Sequence, residues 1–300
     1  MKIKKYIPHL LLLLTAAIWG FGFVAQDKIE GLGALTVGAA RSYIAFFFLI
    51  FVVILFDKLT KNGRRLVSRR GIDITKRELI GGVLCGVALL LASFFQQTGI
   101  SAGTDGGKAA FITSLYVILV PLYALFLKKR APLNVWIAVV IAAIGFYFLC
   151  VKDDLSIAPT DIYVIICSLL FPFHILLIDH FGEGSDCIRL SLVQFLTCAV
   201  LQTVLAFIFE APISPELLGT NLMPLLFLGI GSSGVAYTLQ MVGQKGVDPS
   251  VASIIMSLES VFGVLGTALV LGSTLELREY IGCAIVLVAV ILSQIEFKKR

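Results

Sequence analysis

Polar residues in this chain are gathered into short gaps between long apolar runs. Ten such runs are legible, near 7–25, 34–56, 79–99, 107–127, 132–150, 159–178, 188–209, 220–243, 250–271 and 277–295. Each covers about 20 residues, the length a helix needs to cross a hydrocarbon core of roughly 30 Å. The runs are apolar on every side, whereas strands of a membrane barrel alternate apolar with polar. The expected fold class is therefore an all-α integral membrane protein with ten transmembrane helices. Composition agrees: 58% of the 300 residues are hydrophobic and 14% charged, with a mean hydropathy of +0.98. Soluble domains carry roughly 45–50% apolar and about 25% charged residues, so lipid is the expected solvent for most of this surface. The first run follows Lys2, Lys4 and Lys5, as the core of a signal peptide would. It is longer than such a core and nine more runs follow, so it is read as an uncleaved first helix with no further targeting segment.

The second five runs repeat the first five. Shifting the chain by 143 positions overlays runs three and four on runs eight and nine. Between 86 and 115 the identical pairs are Gly86/Gly229, Gln97/Gln240, Gly103/Gly246, Asp105/Asp248, Ala109/Ala252, Ile112/Ile255, Ser114/Ser257 and Leu115/Leu258. Apolar bias cannot produce the polar matches. The same shift sets Tyr116 opposite Glu259, and a shift near 153 sets Arg41 opposite Gln194 and Asp57 opposite Glu210. A unit of five spans starts on one side of the membrane and ends on the other, so its repeat must run upside down. The expected organisation is two inverted five-helix repeats, 7–150 and 159–295. Secondary transporters are commonly built this way, with the binding site near mid-membrane where the repeats meet.

Charge supplies the orientation. Nineteen of the 24 lysines and arginines fall at the two termini, in the loops 57–78 and 128–131, and at Arg189 and Lys245, all on one side. Lys28, Lys108, Lys152 and Arg278 are on the other, and Arg41 lies within a span. By the positive-inside rule both termini are cytoplasmic, in a multi-pass protein of the inner or plasma membrane. The net charge of +5 thus reflects topology rather than nucleic-acid binding. Six scattered cysteines show neither metal-ligand nor C-x-x-C spacing and are read as packing residues.

Several segments resemble the EamA-type members of the drug/metabolite transporter superfamily: the five-plus-five repeat, Trp19-Gly20 in the first span, Arg41 early in the second, GGKAAFITSLYVILVPLYALFLKKR (106–130) and SVASIIMSLESVFGVLGTALVLG (250–272). The resemblance covers almost the whole chain. It implies a transporter fold and transport as a class, with substrates in that family ranging over amino acids, other metabolites, cations and drugs. It also implies that the fifth and tenth helices stay outside the substrate cavity, where this chain carries almost no polar side chains. At the ends of the fourth and ninth spans, where the family often has glycine-glutamate, this chain reads Lys129-Arg130 and Gly272-Ser273.

A charge at the bilayer centre costs roughly 2.5–3.5 kcal/mol on insertion scales, so a buried one needs a partner or a wet cavity. Arg41, His174 and Glu259 are the ionisable residues deep in spans. Glu259 is read as a proton-linked or cation-binding carboxylate, neutralised at neutral pH by a proton, by substrate or by Arg41. Arg41 either binds a substrate carboxylate or pins two helices through backbone carbonyls, the second reading being preferred. His174 is read as a structural polar group. Neutral candidates for the pathway include Gln97, Ser114, Gln194, Gln240 and Ser257, with Gln96, Thr113, Ser232 and Ser233. Trp19, Phe94, Tyr116 and Tyr237 would form an aromatic wall able to hold a cation. Gly229-x-Gly231-x-x-Gly234 spells a dinucleotide fingerprint, but no predicted strand precedes it, so it is read as coincidence.

The leading expectation is a secondary active transporter that exports a small metabolite, amino acid or amphipathic compound, by proton antiport. Its expected partners are that substrate, protons and lipid, with no metal, cofactor or nucleic acid, as a monomer or homodimer. An uptake carrier of the same fold is the alternative. A membrane-embedded enzyme lacks the histidines and paired acids it would need, and a channel lacks a ring of like charges or a filter loop.

Overall fold

The computed structural model describes residues 3–59, 72–150, 158–212, 215–271 and 276–295, and no strand occurs among them. The basic loop 57–78, counted above toward orientation, lies mostly outside the described residues, as do Lys152, Gly272-Ser273 and the C-terminal basic cluster. In chain order the helices are α1 (Ile3–Asp27), α2 (Ala34–Leu59), α3 (Lys76–Ser101), α4 (Gly106–Ser114), α5 (Tyr116–Phe126), α6 (Leu133–Cys150), α7 (Asp161–Gly182) and α8 (Cys187–Phe209). The short α9 (Pro215–Thr220) and α10 (Leu222–Leu226) lead into a π-helical segment, Phe227–Ala236. Then come α11 (Tyr237–Gln244), α12 (Pro249–Met256), α13 (Glu259–Leu271) and α14 (Leu277–Ser293).

Among the described residues, eight stretches are long and apolar enough to cross a membrane, and they fall on the first four and the sixth to ninth expected runs. The fifth and tenth runs are also helical but shorter, with 18 residues in α6 and 17 in α14. At a rise of about 1.5 Å per residue these two reach about 26 Å, a little under the roughly 30 Å of a hydrocarbon core. They pack against each other through Val135, Ala138, Ala142, Val286 and Ala289, all buried. Asn134 donates its amide to the carbonyl of Ser293 at 3.3 Å and to that of Ile295 at 3.0 Å, tying off the end of α14. Large apolar side chains such as Phe47, Phe51 and Phe207 are exposed around the bundle, as a lipid-facing surface requires.

Three spans are broken, and the breaks are not visible in hydropathy. The fourth divides at Leu115 into α4 and α5, the ninth at Ser257-Leu258 into α12 and α13, and the eighth passes through the π-helical segment. The aspartates matched by the repeat have one job: Asp105 accepts from the backbone N–H groups of Gly107 and Lys108 at the start of α4, and Asp248 from that of Ser250 at the start of α12. Each caps the N-terminus of a half-helix, satisfying donors that have no partner inside the helix. α2 is capped from another span instead. The Glu210 carboxylate, at the end of α8, accepts from Leu35 N at 2.7 Å, Thr36 N at 2.9 Å and Thr36 Oγ1 at 2.7 Å.

Helix packing keeps its pattern when the two halves of the chain are exchanged. α2 packs on α8 and α6 on α14; α3 packs on α7, as α11 and the π-helical segment pack on α1; α3 meets α8, as the π-helical segment meets α2. One pair of glycines shows this at atomic scale. A Cβ on Gly86 would lie 2.8 Å from the Gln194 carbonyl oxygen, and one on Gly229 would lie 3.2 Å from that of Arg41. Gly86 and Gly229 are related by the shift of 143, Arg41 and Gln194 by the shift of 153. The apparent dinucleotide fingerprint is therefore part of a helical surface: Gly229 approaches Ile44 and Gly234 approaches Phe48, both on α2.

Candidate functional site

Residues from both halves converge on one cavity. α1 contributes Trp19, Phe23 and Gln26, spaced to share a face of the helix. Arg41 comes from α2, Gln96 from α3, Thr113 and Tyr116 from the two sides of the α4/α5 break. The second half adds Phe171 and Ile175 from α7, Ser232 from the π-helical segment, Tyr237 and Gln240 from α11, and Glu259 from the start of α13. None of these residues belongs to α6 or α14. The cavity has a volume of about 30 Å³, room for only one or two water molecules.

Arg41 is held inside the protein, 8% exposed. Its Nε donates to Ser233 Oγ and its Nη2 to Ser232 Oγ, each at 2.9 Å. The pinning expected of this arginine thus joins α2 to the eighth span, but through serine hydroxyls rather than backbone carbonyls. The π-helical turn makes this possible, because two consecutive serines there present their hydroxyls to the same guanidinium. Such turns often mark functional sites. The Ser232 carbonyl in turn accepts from Trp19 Nε1 at 3.3 Å. Trp19 packs on Tyr237 with ring centroids 4.7 Å apart, and Tyr237 meets His174 edge-on at 5.5 Å.

The repeat-matched Tyr116 and Glu259 occupy equivalent places, each the first residue of the half-helix after its break. Both are buried, and the Tyr116 hydroxyl lies close enough to the Glu259 carboxyl to hydrogen-bond it, though not in good geometry and with no other partner. Their proximity makes them interact electrostatically. Tyr237 is within electrostatic reach of both Arg41 and Glu259. The described hydrogen bonds of Arg41 go to the two serines, and Arg41 and Glu259 line the same cavity.

A run of amides closes the α3 side. Gln26 Nε2 donates to Gln96 Oε1 at 3.2 Å and to Gln97 Oε1 at 3.1 Å, and Gln96 Nε2 donates to Thr113 Oγ1 at 3.2 Å. Gln97 passes its own N–H to Ser101 Oγ at 3.2 Å.

Six of the eleven expected residues line the cavity: Trp19, Arg41, Tyr116, Tyr237, Gln240 and Glu259. Gln97 stands behind it, joined through Gln26. Ser114 bonds Ser260 Oγ at 2.5 Å, and Ser257 bonds its own helix at the Ile254 carbonyl, 2.8 Å away. Gln194 pairs with His174 Nε2 at 2.9 Å, a buried contact that fits the structural reading of the histidine. Phe94 is a correction. It lines a separate pocket with Leu35, Thr98, Phe209 and Glu210. Two positions separate it from Gln96, and a helix turns about 200° over that distance, so both cannot face one cavity. Phe23 and Phe171 complete the aromatic wall in its place.

Four lining residues were absent from the sequence reading: Phe23, Gln26, Phe171 and Ile175. Gln26 lay just beyond the expected end of the first run, which the helix overshoots to Asp27. The other three are apolar side chains in apolar helices, and hydropathy carries no signal for them. Outside the cavity, Lys129 bonds Asp179, so the basic residue standing where the family often has glycine-glutamate ties the end of the fourth span to the sixth. Lys108 and Asp161 form an ion pair at the opposite ends of these spans, 2.6 Å apart. Among the described residues no group of three or more His, Cys, Asp or Glu side chains could hold a metal ion.

A family model described as the EamA-like transporter family matches residues 7–151 and again 158–294. The chain is 29% identical over 293 residues to a protein of Archaeoglobus fulgidus described as an uncharacterized transporter, an alignment covering 97% of this chain and 86% of that protein. A second uncharacterized transporter, from Haemophilus influenzae, is 39% identical over 57 residues, 19% of this chain and 34% of that one. A solved structure described only as the crystal structure of a protein superposes with a TM-score of 0.74 at 17% identity, covering 96% of this chain and 97% of the other. That similarity speaks to fold alone.

Proposed function

We propose that this chain, which belongs to the EamA-like transporter family, is a secondary carrier that exports a small molecule in exchange for protons through the cavity between its halves. It is a multi-pass membrane transporter and not an enzyme. The observation carrying the proposal is the pair of half-helix starts that bring Tyr116 and Glu259, from opposite halves, into one buried cavity. Broken helices meeting at a repeat interface are a recurrent way of building a mid-membrane substrate site.

On this reading the halves, 7–150 and 159–295, are inverted repeats of five spans, with α6 and α14 as the fifth and tenth. The contact pattern that survives exchange of the halves supports it. The cavity opens alternately to either side as one half rocks against the other, and Glu259 carries the exchanged proton. The purified protein in proteoliposomes is expected to give saturable flux stimulated by counter-substrate. Linear conductance would indicate a channel instead, and no flux from a broad metabolite panel would end the carrier reading.

The basic asymmetry supports a cytoplasmic position for both termini and for the loops 57–78 and 128–131. In a cysteine-free background, a cysteine at Arg130 should react with a membrane-impermeant maleimide only after the inner face is exposed, and one at Lys28 should react in intact cells. The reverse pattern would invert the protein in the membrane and change the sense of export.

A further inference from the structure

A groove runs along the outside of the bundle between α5 and α6. Ile118 lines it from α5, and Trp136, Val140, Ala143, Ile144 and Tyr147 line it from α6. Every lining side chain is apolar or aromatic, and the volume is about 440 Å³, within the roughly 300–1,000 Å³ of clefts that hold small ligands. Trp136 and Tyr147 stand about 16 Å apart along the helix axis, so the groove follows the direction of a lipid tail. Trp136 opens it one turn into α6, next to the loop 127–132 that joins the two helices. That loop carries Lys128, Lys129 and Arg130, all exposed. Lys129 bonds Asp179, whereas Lys128 and Arg130 have no ion pair among the described residues. Lys128 has a φ of 60°, the one positive φ at a non-glycine residue among those described. Its N–H reaches the Leu125 carbonyl at 2.9 Å, and that of Lys129 reaches the Ala124 carbonyl at 3.0 Å, a helix ending that usually places glycine in the left-handed position. A side chain is disfavoured there, yet the position holds a cation. The positive-inside rule asks for basic residues on this side of the membrane, but not for one on a strained backbone beside an apolar groove.

We propose that this groove binds an anionic phospholipid, with one acyl chain lying along it and the phosphate held by Lys128 and Arg130. The proposal is independent of the carrier reading. Basic residues next to a span attract anionic headgroups, and Trp136 stands between the cations and the groove, where an indole suits the boundary between headgroup and hydrocarbon. A zwitterionic lipid would fill the same groove but offers no net charge to the two cations. A second copy of the chain, related by a two-fold axis along the membrane normal, would bring the two basic loops toward each other and repel. Ile118 lies two positions beyond Tyr116, about 200° around the helix. The lipid therefore lies behind the half-helix whose first residue faces the central cavity.

The test uses Trp136 as its reporter. The purified full-length protein is reconstituted in vesicles of phosphatidylcholine with rising fractions of phosphatidylglycerol, one lipid or the other carrying dibrominated acyl chains. Quenching at Trp136 is the fluorescence difference between the parent and Trp136→Phe. Brominated phosphatidylglycerol is expected to quench with about a fivefold preference over brominated phosphatidylcholine. Lys128→Gln combined with Arg130→Gln should bring that preference to about one while leaving quenching by either lipid in place. Lys128→Gly should lower the preference and raise the melting temperature in detergent, because glycine accepts the left-handed backbone. Ala143→Phe, which fills the groove, should weaken quenching by both lipids and keeps the proposal testable if the glutamine variant does not fold. Equal quenching of the parent by the two lipids would overturn the proposal, as would a preference that survives both glutamine substitutions. Quenching by both lipids that falls as protein is added at fixed lipid would put a second copy of the chain in the groove instead.

Discussion

Arg41→Leu is expected to lower transport by roughly a hundredfold, the equivalent of about 2.7 kcal/mol, and to lower the melting temperature in detergent as well. The guanidinium is the link between α2 and the eighth span at cavity depth, and it engages Ser232 and Ser233 at once. Removing it leaves two buried hydroxyls without that partner, at about 1–3 kcal/mol for each group left unsatisfied. The π-helical turn loses the contact that fixes it, and with it the Ser232 carbonyl that receives Trp19. Arg41→Lys keeps the charge but not the planar fork, so it can serve one serine well and the other poorly. It should fall between the parent and Arg41→Leu in both stability and initial counterflow rate. Parent-like flux and melting temperature in Arg41→Leu would show that the eighth span is held in place by apolar packing alone.

Much of this architecture is legible in the sequence because the membrane imposes a simple rule on it. Apolar runs about 20 residues long must be helices, and the eight that are long enough in the structure fall where the hydropathy places them. The repeat is legible for a different reason. Asp105 and Asp248 cap half-helices, and Gly86 and Gly229 allow close approach to a neighbouring backbone, so identical geometry demanded identical residues. Tyr116 and Glu259 were matched by the same arithmetic, and both start a half-helix and line the same cavity.

What the sequence could not reveal is where helices break and which face each residue takes. Leu115 and Ser257-Leu258 interrupt their spans without glycine or proline at the break, so nothing in the local composition marks them. The π-helical turn is rich in glycine and serine, but that composition does not by itself announce a π turn, although the turn decides that Arg41 meets serine hydroxyls. Phe94 failed for lack of a rotation: its depth was right and its direction was wrong. Direction also separates Gln97, one contact behind the cavity, from Gln240, its repeat-mate, which lines it. The matched positions thus agree in caps and close backbone contacts but not in the polar lining of the cavity.

Glu259→Gln should uncouple transport from the proton gradient. The carboxyl is the first residue of α13, where the helix presents the positive end of its dipole. It is buried in the cavity, and the insertion cost of a bare charge within a span is the reason to expect a proton or a cationic substrate on it during transport. In the parent, reconstituted with substrate inside, acidifying the medium should accelerate efflux, because protons arriving at Glu259 displace bound substrate and return the emptied carrier. Glutamine keeps the shape and the hydrogen-bonding oxygen while removing the titration. The variant should therefore fold with a melting temperature near that of the parent and show little response of efflux to external pH between about 5.5 and 8. If Glu259→Gln instead transports like the parent at every pH, proton exchange at this carboxyl is excluded and its burial is purely structural.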